Sequence, residues 1–440
     1  MATYVATSRV TINVEDVYEE KRFNFSNVHN WDKQIGYHSK SFLTVPMTNH
    51  LNEVIGVLQL INARSKTGKK VLAFSKLDQQ IVESLASQAA VSITNRNLIE
   101  AQKQLFDSLI KLIAASIDEK SPYTAGHCRR VPIITRLLAD AACHIDKGPL
   151  KNFNLTDDEL YELEVAAWLH DCGKITTPEY VVDKATKLET IFDRIHLVDM
   201  RFEVLKRDAL IKSLSTRLEK AGISTDYIDK DLHQYLDMLD EDRAFLHECN
   251  VGKESIGDAD IANITRIAAY VYVKSSCTNE TFLSEEEVQN LKIHRGTLSV
   301  RERHIINNHV KVSAHMLESL PYPKNLQRVP EFASTHHERM DGKGYPKGLN
   351  GEQMPVQCRI IAIADVFEAL SASDRPYKKA MPLSQCLTIL GEMKLSGHID
   401  PDLFDVFMHE KIYQTYAAEH LDKQCIYNID VNKIPGYAPL

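Results

Sequence analysis

Seven side chains in this sequence have the types and settings that metal-dependent chemistry requires. They are His127 in YTAGHCRRV, His170 and Asp171 in AAWLHDCGK, His309 in IINNHV, His336 and His337 in STHHERMDGKGYP, and Asp365 in IAIADVFEAL. Several stand among apolar neighbours, Asp365 after RIIAIA and His170 after AAWL. A carboxylate buried in such a setting without a partner costs several kcal/mol or protonates. A bound cation removes that cost, and imidazoles with carboxylates form a ligand set. A ligand set without thiolate suits iron or manganese, with zinc and nickel as alternatives. A His-Asp dipeptide or a pair of adjacent histidines carries little alone; the constellation carries the argument.

The elements that must position these groups are mostly helical. From 119 onward, Thr156 and Glu159, Ser284 and Glu287, and Ser299 and Glu302 have capping-box spacing, so helices are expected to start at TDDEL, SEEE and SVRE. Residues 187–221 place Ile191, Ile195, Val198, Phe202 and Leu205 at three-four spacing, and 226–248 repeat the pattern with Ile228, Leu232, Tyr235, Leu239 and Leu246. With Gly222 between them, a helical hairpin is expected.

The N-terminal 75 residues alternate as strands do, with SFLTVPM (41–47) and EVIGVLQLIN (53–62) joined by the turn-like TNHLN. Over 77–118 the period changes. Val91, Leu98, Leu105 and Leu112 recur every seven residues beside Leu85, Ile99, Phe106 and Ile113, which predicts one long helix. Two roles fit it: packing on its own domain, or pairing with a second copy. Asn95 and Gln102 would put polar groups in that seam.

Composition narrows the classes. A net charge of −8 gives no general attraction to a nucleic acid polymer or an anionic membrane, so a phosphate site must be a local concentration of cations or metal. The eight cysteines show no C-x-x-C spacing, which argues against a zinc ribbon or disulfide framework and suits a reducing cytosol. The start MATYVATSRV lacks a signal-peptide pattern. No stretch approaches the ~20 apolar residues of a membrane span. A cytoplasmic location is expected.

LHDCGK, then HHERMDGKGYPKGLNGEQMP, then RIIAIADVFEALSASDRPYKK, is similar to the HD-GYP subgroup of HD-domain phosphohydrolases, over about 107–183 and 298–405. The name-giving residues stand here as His170, Asp171, Gly344, Tyr345 and Pro346. The resemblance implies a mainly α fold, an all-helical HD-type catalytic domain over 119–440. It also implies that all seven residues above are metal ligands. His127, His170, Asp171 and Asp365 would hold one divalent ion, with Asp171 bridging to a second held by His309, His336 and His337. Family members with a third metal carry a glutamate four residues before the first histidine; Tyr123 stands there, which favours two ions.

The implied reaction is hydrolysis of the bacterial second messenger cyclic di-GMP to pGpG, with GMP after a second cut, by attack of metal-bound hydroxide on phosphorus. Asp171 and Lys174 are the implied catalytic groups. Lys174, one turn past His170, should face the site; with Tyr345, Arg375 and Lys378 it would grip substrate. A solvated basic loop is the alternative for Lys378 and Lys379. Gly342 and Gly344 are expected to hold positive φ. Cys172 beside the ligand pair is read as a core residue, with a redox role as the alternative.

Lys174 and His309 are 135 positions apart, so about 186–297 is expected to be a helical insertion whose histidines are structural. It would serve as a lid, a dimer surface or a docking arm. The N-terminal region resembles the later half of a GAF domain, a small α+β sensor fold, over 1–100, with the 77–118 helix overlapping its end. A half sheet would leave an open edge and an incomplete ligand pocket. Two other functions compete: hydrolysis of 3′,3′-cGAMP, and a regulatory module of the same fold that contacts a diguanylate cyclase-type partner.

Overall fold

The computed structural model describes residues 1–66, 68, 70–120, 126–219, 230–252, 255–273, 279–372, 381–426 and 429–438. The chain divides into two compact units, Met1–Leu109 and Ile110–Leu440. Among the described residues no helix is long and apolar enough to cross a membrane.

The first unit is α+β. It contains α1 (Ala2–Ser8), β1 (Ile12–Val14), α2 (Ser26–Ile35), β2 (Phe42–Thr48), β3 (Val54–Ile61) and the short pair β4 (Ala63–Arg64) and β5 (Val71–Leu72). The sheet is antiparallel in the order β1-β2-β3, with Thr44 opposite both Ile12 and Gln59. The expected turn is present between β2 and β3. The Asn49 side chain accepts from the backbone N–H of Leu51 and Glu53, and Asn52 adopts a left-handed φ of 65°, which asparagine tolerates better than most residues. Leu43 and Val45 of the sheet pack against Val82 and Ala86.

Those last two residues belong to α3 (Lys76–Asp118), the long helix that the seven-residue period predicts. Its buried apolar positions are Val82, Ala86, Ala90, Ile110, Ala114 and Ile117. The repeat residues Leu98, Leu105 and Leu112 are instead more than half exposed.

The second unit is helical. It opens with α4 (His127–Cys143), α5 (Asp157–Leu169), a 3-10 turn (Cys172–Thr176) and α6 (Glu179–Val182). A separate segment follows: α7 (Ile195–Glu219), α8 (Lys230–Asn250), α9 (Asp258–Ala268), the hairpin β6 (Val271–Val273) and β7 (Asn279–Thr281), and α10 (Glu285–Leu291). The chain then runs through α11 (Val300–Asn307), α12 (His309–Glu318), α13 (Val329–Ala333), α14 (Val356–Ser371), α15 (Leu383–Leu395), α16 (Pro401–His409) and α17 (Ile412–His420). All three expected capping boxes form, at the starts of α5, α10 and α11.

Helix α4 lies at the centre, against α5, α14, α16 and α17. Ile134 and Leu138 from α4, Ala166 from α5, Ile361 and Phe367 from α14, and Phe404 and Phe407 from α16 are fully buried. The segment 186–297 builds a core from its own residues, with Val198, Phe202, Leu239, Leu246, Ile264, Phe282 and Leu291 in one cluster.

Two expectations need correction there. Helix α7 begins at Ile195 rather than 187, because polar side chains occupy the preceding backbone. Glu189 accepts from the N–H groups of Ala185 and Thr186, and Asp193 accepts from that of Ile195. Such local bonds compete with helix formation, and they leave Ile191 96% exposed instead of on a packed face. The β6–β7 hairpin also interrupts the segment expected to be helical throughout. Gly222, Ile228, Tyr123, Arg375, Lys378 and Lys379 lie outside the described residues.

Candidate metal centre

All seven predicted side chains converge. His127 is the first residue of α4, His170 and Asp171 link α5 to the 3-10 turn, His309 opens α12, His336 and His337 follow α13, and Asp365 sits mid-way along α14. Three groups have ligand atoms within 4.8 Å of one another: His127, His170 and Asp365; His309, His336 and His337; and His170, Asp171 and His336. His127 Nε2 lies 3.2 Å from Asp365 Oδ1 and 3.4 Å from Asp171 Oδ2. On the other side of the same carboxylate, His309 Nε2 is 3.1 Å and His336 Nε2 3.9 Å from Asp171 Oδ1. Asp171 therefore has one oxygen toward each set of imidazoles.

The fold also sets which ring nitrogen faces inward. His170, His309 and His336 each place Nδ1 against the carbonyl oxygen three residues earlier, on Ala167, Ile306 and Ala333, at 2.8, 2.5 and 2.7 Å. A carbonyl only accepts, so Nδ1 carries the proton and Nε2 keeps its lone pair for the centre. His127 achieves the same orientation through Glu368, whose carboxylate meets its Nδ1. Glu368 is three residues beyond Asp365 on α14, is 1% exposed, and pairs through its other oxygen with Arg130 Nε at 2.6 Å.

Three inward atoms, Asp171 Oδ1, His309 Nε2 and His336 Nε2, are buried with no hydrogen-bond partner. A buried polar atom without a partner costs about 1–3 kcal/mol. Three of them meeting at one point is the arrangement a cation resolves. The donors fit a metal site of the HD phosphohydrolase kind.

Electrostatics agree. Burial would raise the Asp171 pKa, but Lys174, His170 and His127 hold it well below the usual carboxylate range. Asp365 is likewise lowered against burial, chiefly by His127. Burial would lower the pKa of His127; the Glu368 charge, with Asp171 and Asp365, raises it well above 6.5 instead, so this cluster of carboxylates demands positive charge. Burial pushes His336 well down and His337 to about 4, which leaves both as neutral, ligand-competent imidazoles at pH 7. Burial pushes the Cys172 thiol up to about 11, so it remains a thiol and packs in the core.

Lys174 Nζ lies 2.6 Å from Asp171 Oδ2, as its spacing predicts. The Tyr345 ring rests 4.8 Å from that of His337. Gly342 has φ of 75°, but Gly344 does not have positive φ. A Cβ on Gly344 would meet the backbone of Glu338 and Arg339 at 2.5 Å, so close approach is what requires glycine there. The buried Glu338 carboxylate holds this loop by accepting from the N–H groups of Lys347, Gly348 and Leu349.

Comparison with known proteins adds two domain assignments. The GAF domain family matches residues 2–93, and the HD domain family matches residues 285–403. The HD match runs from α10 through α15 to the start of α16 and excludes His127, His170 and Asp171, which precede the intervening segment. A 3′3′-cGAMP-specific phosphodiesterase of Vibrio cholerae is 41% identical over 109 residues, 25% of this chain and 23% of that protein. A cyclic di-GMP phosphodiesterase of Thermotoga maritima is 35% identical over 127 residues, 28% and 33% respectively. The cyclic di-GMP phosphodiesterase response regulator RpfG of Xanthomonas campestris is 40% identical over 95 residues, 22% and 25% respectively. The alignments thus span a quarter to a third of these curated relatives. The chain thus combines an N-terminal GAF domain with an HD domain, and the relatives it resembles are cyclic dinucleotide phosphodiesterases.

Proposed function

We propose that this chain is a metal-dependent phosphodiesterase that opens cyclic di-GMP to pGpG, with GMP formed by a second cut. The observation that carries this reading is the triple convergence of unpartnered buried atoms on Asp171 among five histidines and Asp365. His127, His170, Asp171 and Asp365 would hold one divalent ion, and His309, His336 and His337 a second that shares Asp171. Two of the ligand groups follow that division, and the third, His170, Asp171 and His336, joins the two sets at the shared carboxylate. Imidazole and carboxylate donors without thiolate favour iron or manganese.

When bound, such ions supply Lewis acidity and lower the pKa of water toward 7. The chain's own residues do the rest. Asp171 holds the two histidine sets together, and Lys174 stabilises phosphate charge beside it. Tyr345 offers a ring and a hydroxyl at the edge of the site, and Arg375 and Lys378 are assigned to the substrate phosphates by resemblance alone. The histidine orientation described above keeps the centre formed before substrate arrives, which lowers the reorganisation that catalysis requires.

A second substrate has specific support: two relatives, at 41% and 44% identity, are 3′3′-cGAMP-specific phosphodiesterases of Vibrio cholerae. Turnover of both cyclic dinucleotides by iron- or manganese-loaded protein, prepared under reducing conditions, separates the readings. Preferential production of pGpG supports the first and preferential cleavage of 3′,3′-cGAMP the second. Turnover of neither supports a regulatory module that contacts a diguanylate cyclase-type partner.

The domain organisation proposed with this function is a partial GAF domain over 1–100, the connecting helix over 77–118, and the catalytic domain over 119–440 interrupted at about 186–297. A homodimer through the connecting helix is part of the proposal, supported by Leu98, Leu105 and Leu112 exposed at seven-residue spacing. A cytoplasmic location fits the free cysteines among the described residues.

A further inference from the structure

A cleft of about 410 Å³ adjoins the metal centre on the His309 side. Thr176 and Thr177 form one wall; Arg301, His304, Ile305 and Asn308 of α11 and its end form the other. In a chain with 60 acidic and 52 basic residues, this lining contains no carboxylate among the described residues. Arg301, His304 and Asn308 are exposed to the cleft, and among the described residues none of their side chains has a protein partner. The next residue along the helix, Glu302, is fully engaged with Lys184 and Ser299, so it does not neutralise Arg301.

Both walls are held in place. Lys120 Nζ donates to the carbonyls of Lys174, Ile175 and Thr177 at 3.2, 2.5 and 2.6 Å, fixing the turn that carries Thr176 and Thr177. The Ser299–Glu302 capping box and the Lys184 ion pair fix the start of α11. A preformed cleft with free donors costs little to order on binding.

We propose that this cleft receives the second nucleotide of the substrate, the half whose phosphodiester is not being cut, with Arg301 as its anchor. The inference rests on the phosphodiesterase reading above. A cyclic dinucleotide placed with one phosphate at the metal centre must put its other guanosine phosphate somewhere close by. The planar guanidinium fork of arginine matches two groups of that unit, the phosphate oxygens and the O6/N7 edge of guanine. Arg301 is thus a specificity and affinity residue, outside the bond-breaking machinery.

The test compares wild-type protein with Arg301→Gln and Arg301→Lys on three probes: cyclic di-GMP, cyclic di-AMP and bis(p-nitrophenyl) phosphate, which has one phosphodiester and no second nucleotide. Loss of a charge-assisted contact should raise KM for cyclic di-GMP about tenfold in Arg301→Gln, while kcat and cleavage of the small diester stay near wild type. Arg301→Lys should recover part of the loss if the phosphate is held and little if guanine is read. An equal loss for cyclic di-AMP identifies the phosphate; a loss confined to cyclic di-GMP identifies the base. Both support the cleft as the second subsite.

Calorimetric binding of pGpG to the loaded proteins provides a readout independent of turnover and should weaken by a similar factor. An Arg301→Gln protein that keeps wild-type KM for cyclic di-GMP and wild-type affinity for pGpG overturns the proposal. If wild-type protein cleaves neither diester, the phosphodiesterase reading fails, and the pGpG affinities alone still decide whether Arg301 anchors a nucleotide.

Discussion

The Nδ1 of His127 faces the carboxylate of Glu368, which stands one helical turn beyond Asp365 on α14. One helix therefore supplies both a candidate ligand and the group that aims another ligand. Carboxylates behind a metal-bound histidine orient it and raise its basicity, and their loss commonly weakens metal binding about 10–100-fold. Glu368→Ala should show that loss in competition with a chelator, and Glu368→Gln a smaller one, since an amide oxygen still accepts from Nδ1. Unchanged metal affinity in Glu368→Ala would mean that His127 needs no such support.

Gly173 is required by approach rather than by φ. A Cβ there would lie 2.1 Å from the carbonyl oxygen of His309 and 2.6 Å from the backbone nitrogen of Ser313. Gly173→Ala must push α12 away from the 3-10 turn and carry His309 off Asp171. Overpacking of this kind costs about 1–3 kcal/mol. Metal content should fall while far-UV circular dichroism stays helical; full metal retention would show that α12 can shift without moving its histidine.

Lys174 is placed to act on substrate charge beside Asp171. Lys174→Gln should keep its metals, because no candidate ligand is removed, and lose about 100-fold in kcat, the usual scale for one electrostatic contact to a transition state. Paired metal analysis and steady-state kinetics check this. Retained kcat would remove Lys174 from the mechanism.

The start of α11 gives a pH signature away from the centre. Burial would raise the Glu302 pKa, but its bonds to Lys184 and Ser299 hold it below the ordinary glutamate value. The unfolded chain binds the proton more readily, so the stabilisation is complete above about pH 4.3 and is lost as pH falls through the lower folded value. Glu302→Gln strands Lys184, whose side chain is 1% exposed, and should cost about 3 kcal/mol at neutral pH. The gap in melting temperature between wild type and Glu302→Gln should narrow on acidification toward pH 3. A gap that is constant with pH would contradict the ion pair.

Much of the candidate site was legible because its side chains are chemically expensive where they stand. A histidine after AAWL or an aspartate after RIIAIA needs a reason, and the motif spacing supplied one. Glu368 is open to the same reasoning, as an acid at three-residue spacing from Asp365 on an apolar helix. Its role depends on α4 crossing α14, which no local pattern reveals. The same holds for Arg130 and Glu338: each acts on a partner distant in sequence or across a loop.

The fold shows a similar division. Capping boxes at Thr156, Ser284 and Ser299 and the long period of α3 are local signals, and they set the helix starts observed. The stretch before Ile195 had helical apolar spacing but polar side chains that bind its backbone, and those bonds prevailed. On α3 the period is visible, yet the buried apolar positions are Val82, Ile110, Ile117 and the small residues Ala86, Ala90 and Ala114 rather than the leucines at seven-residue spacing.

Anomalous X-ray scattering from crystals of manganese-loaded protein tests the central claim most directly. Two peaks about 3.5–4 Å apart, on either side of the Asp171 carboxylate and each within bonding distance of its histidine set, are the expected result. Protein that binds manganese elsewhere, or none in crystals whose Asp171, His309 and His336 stand as described, would contradict it.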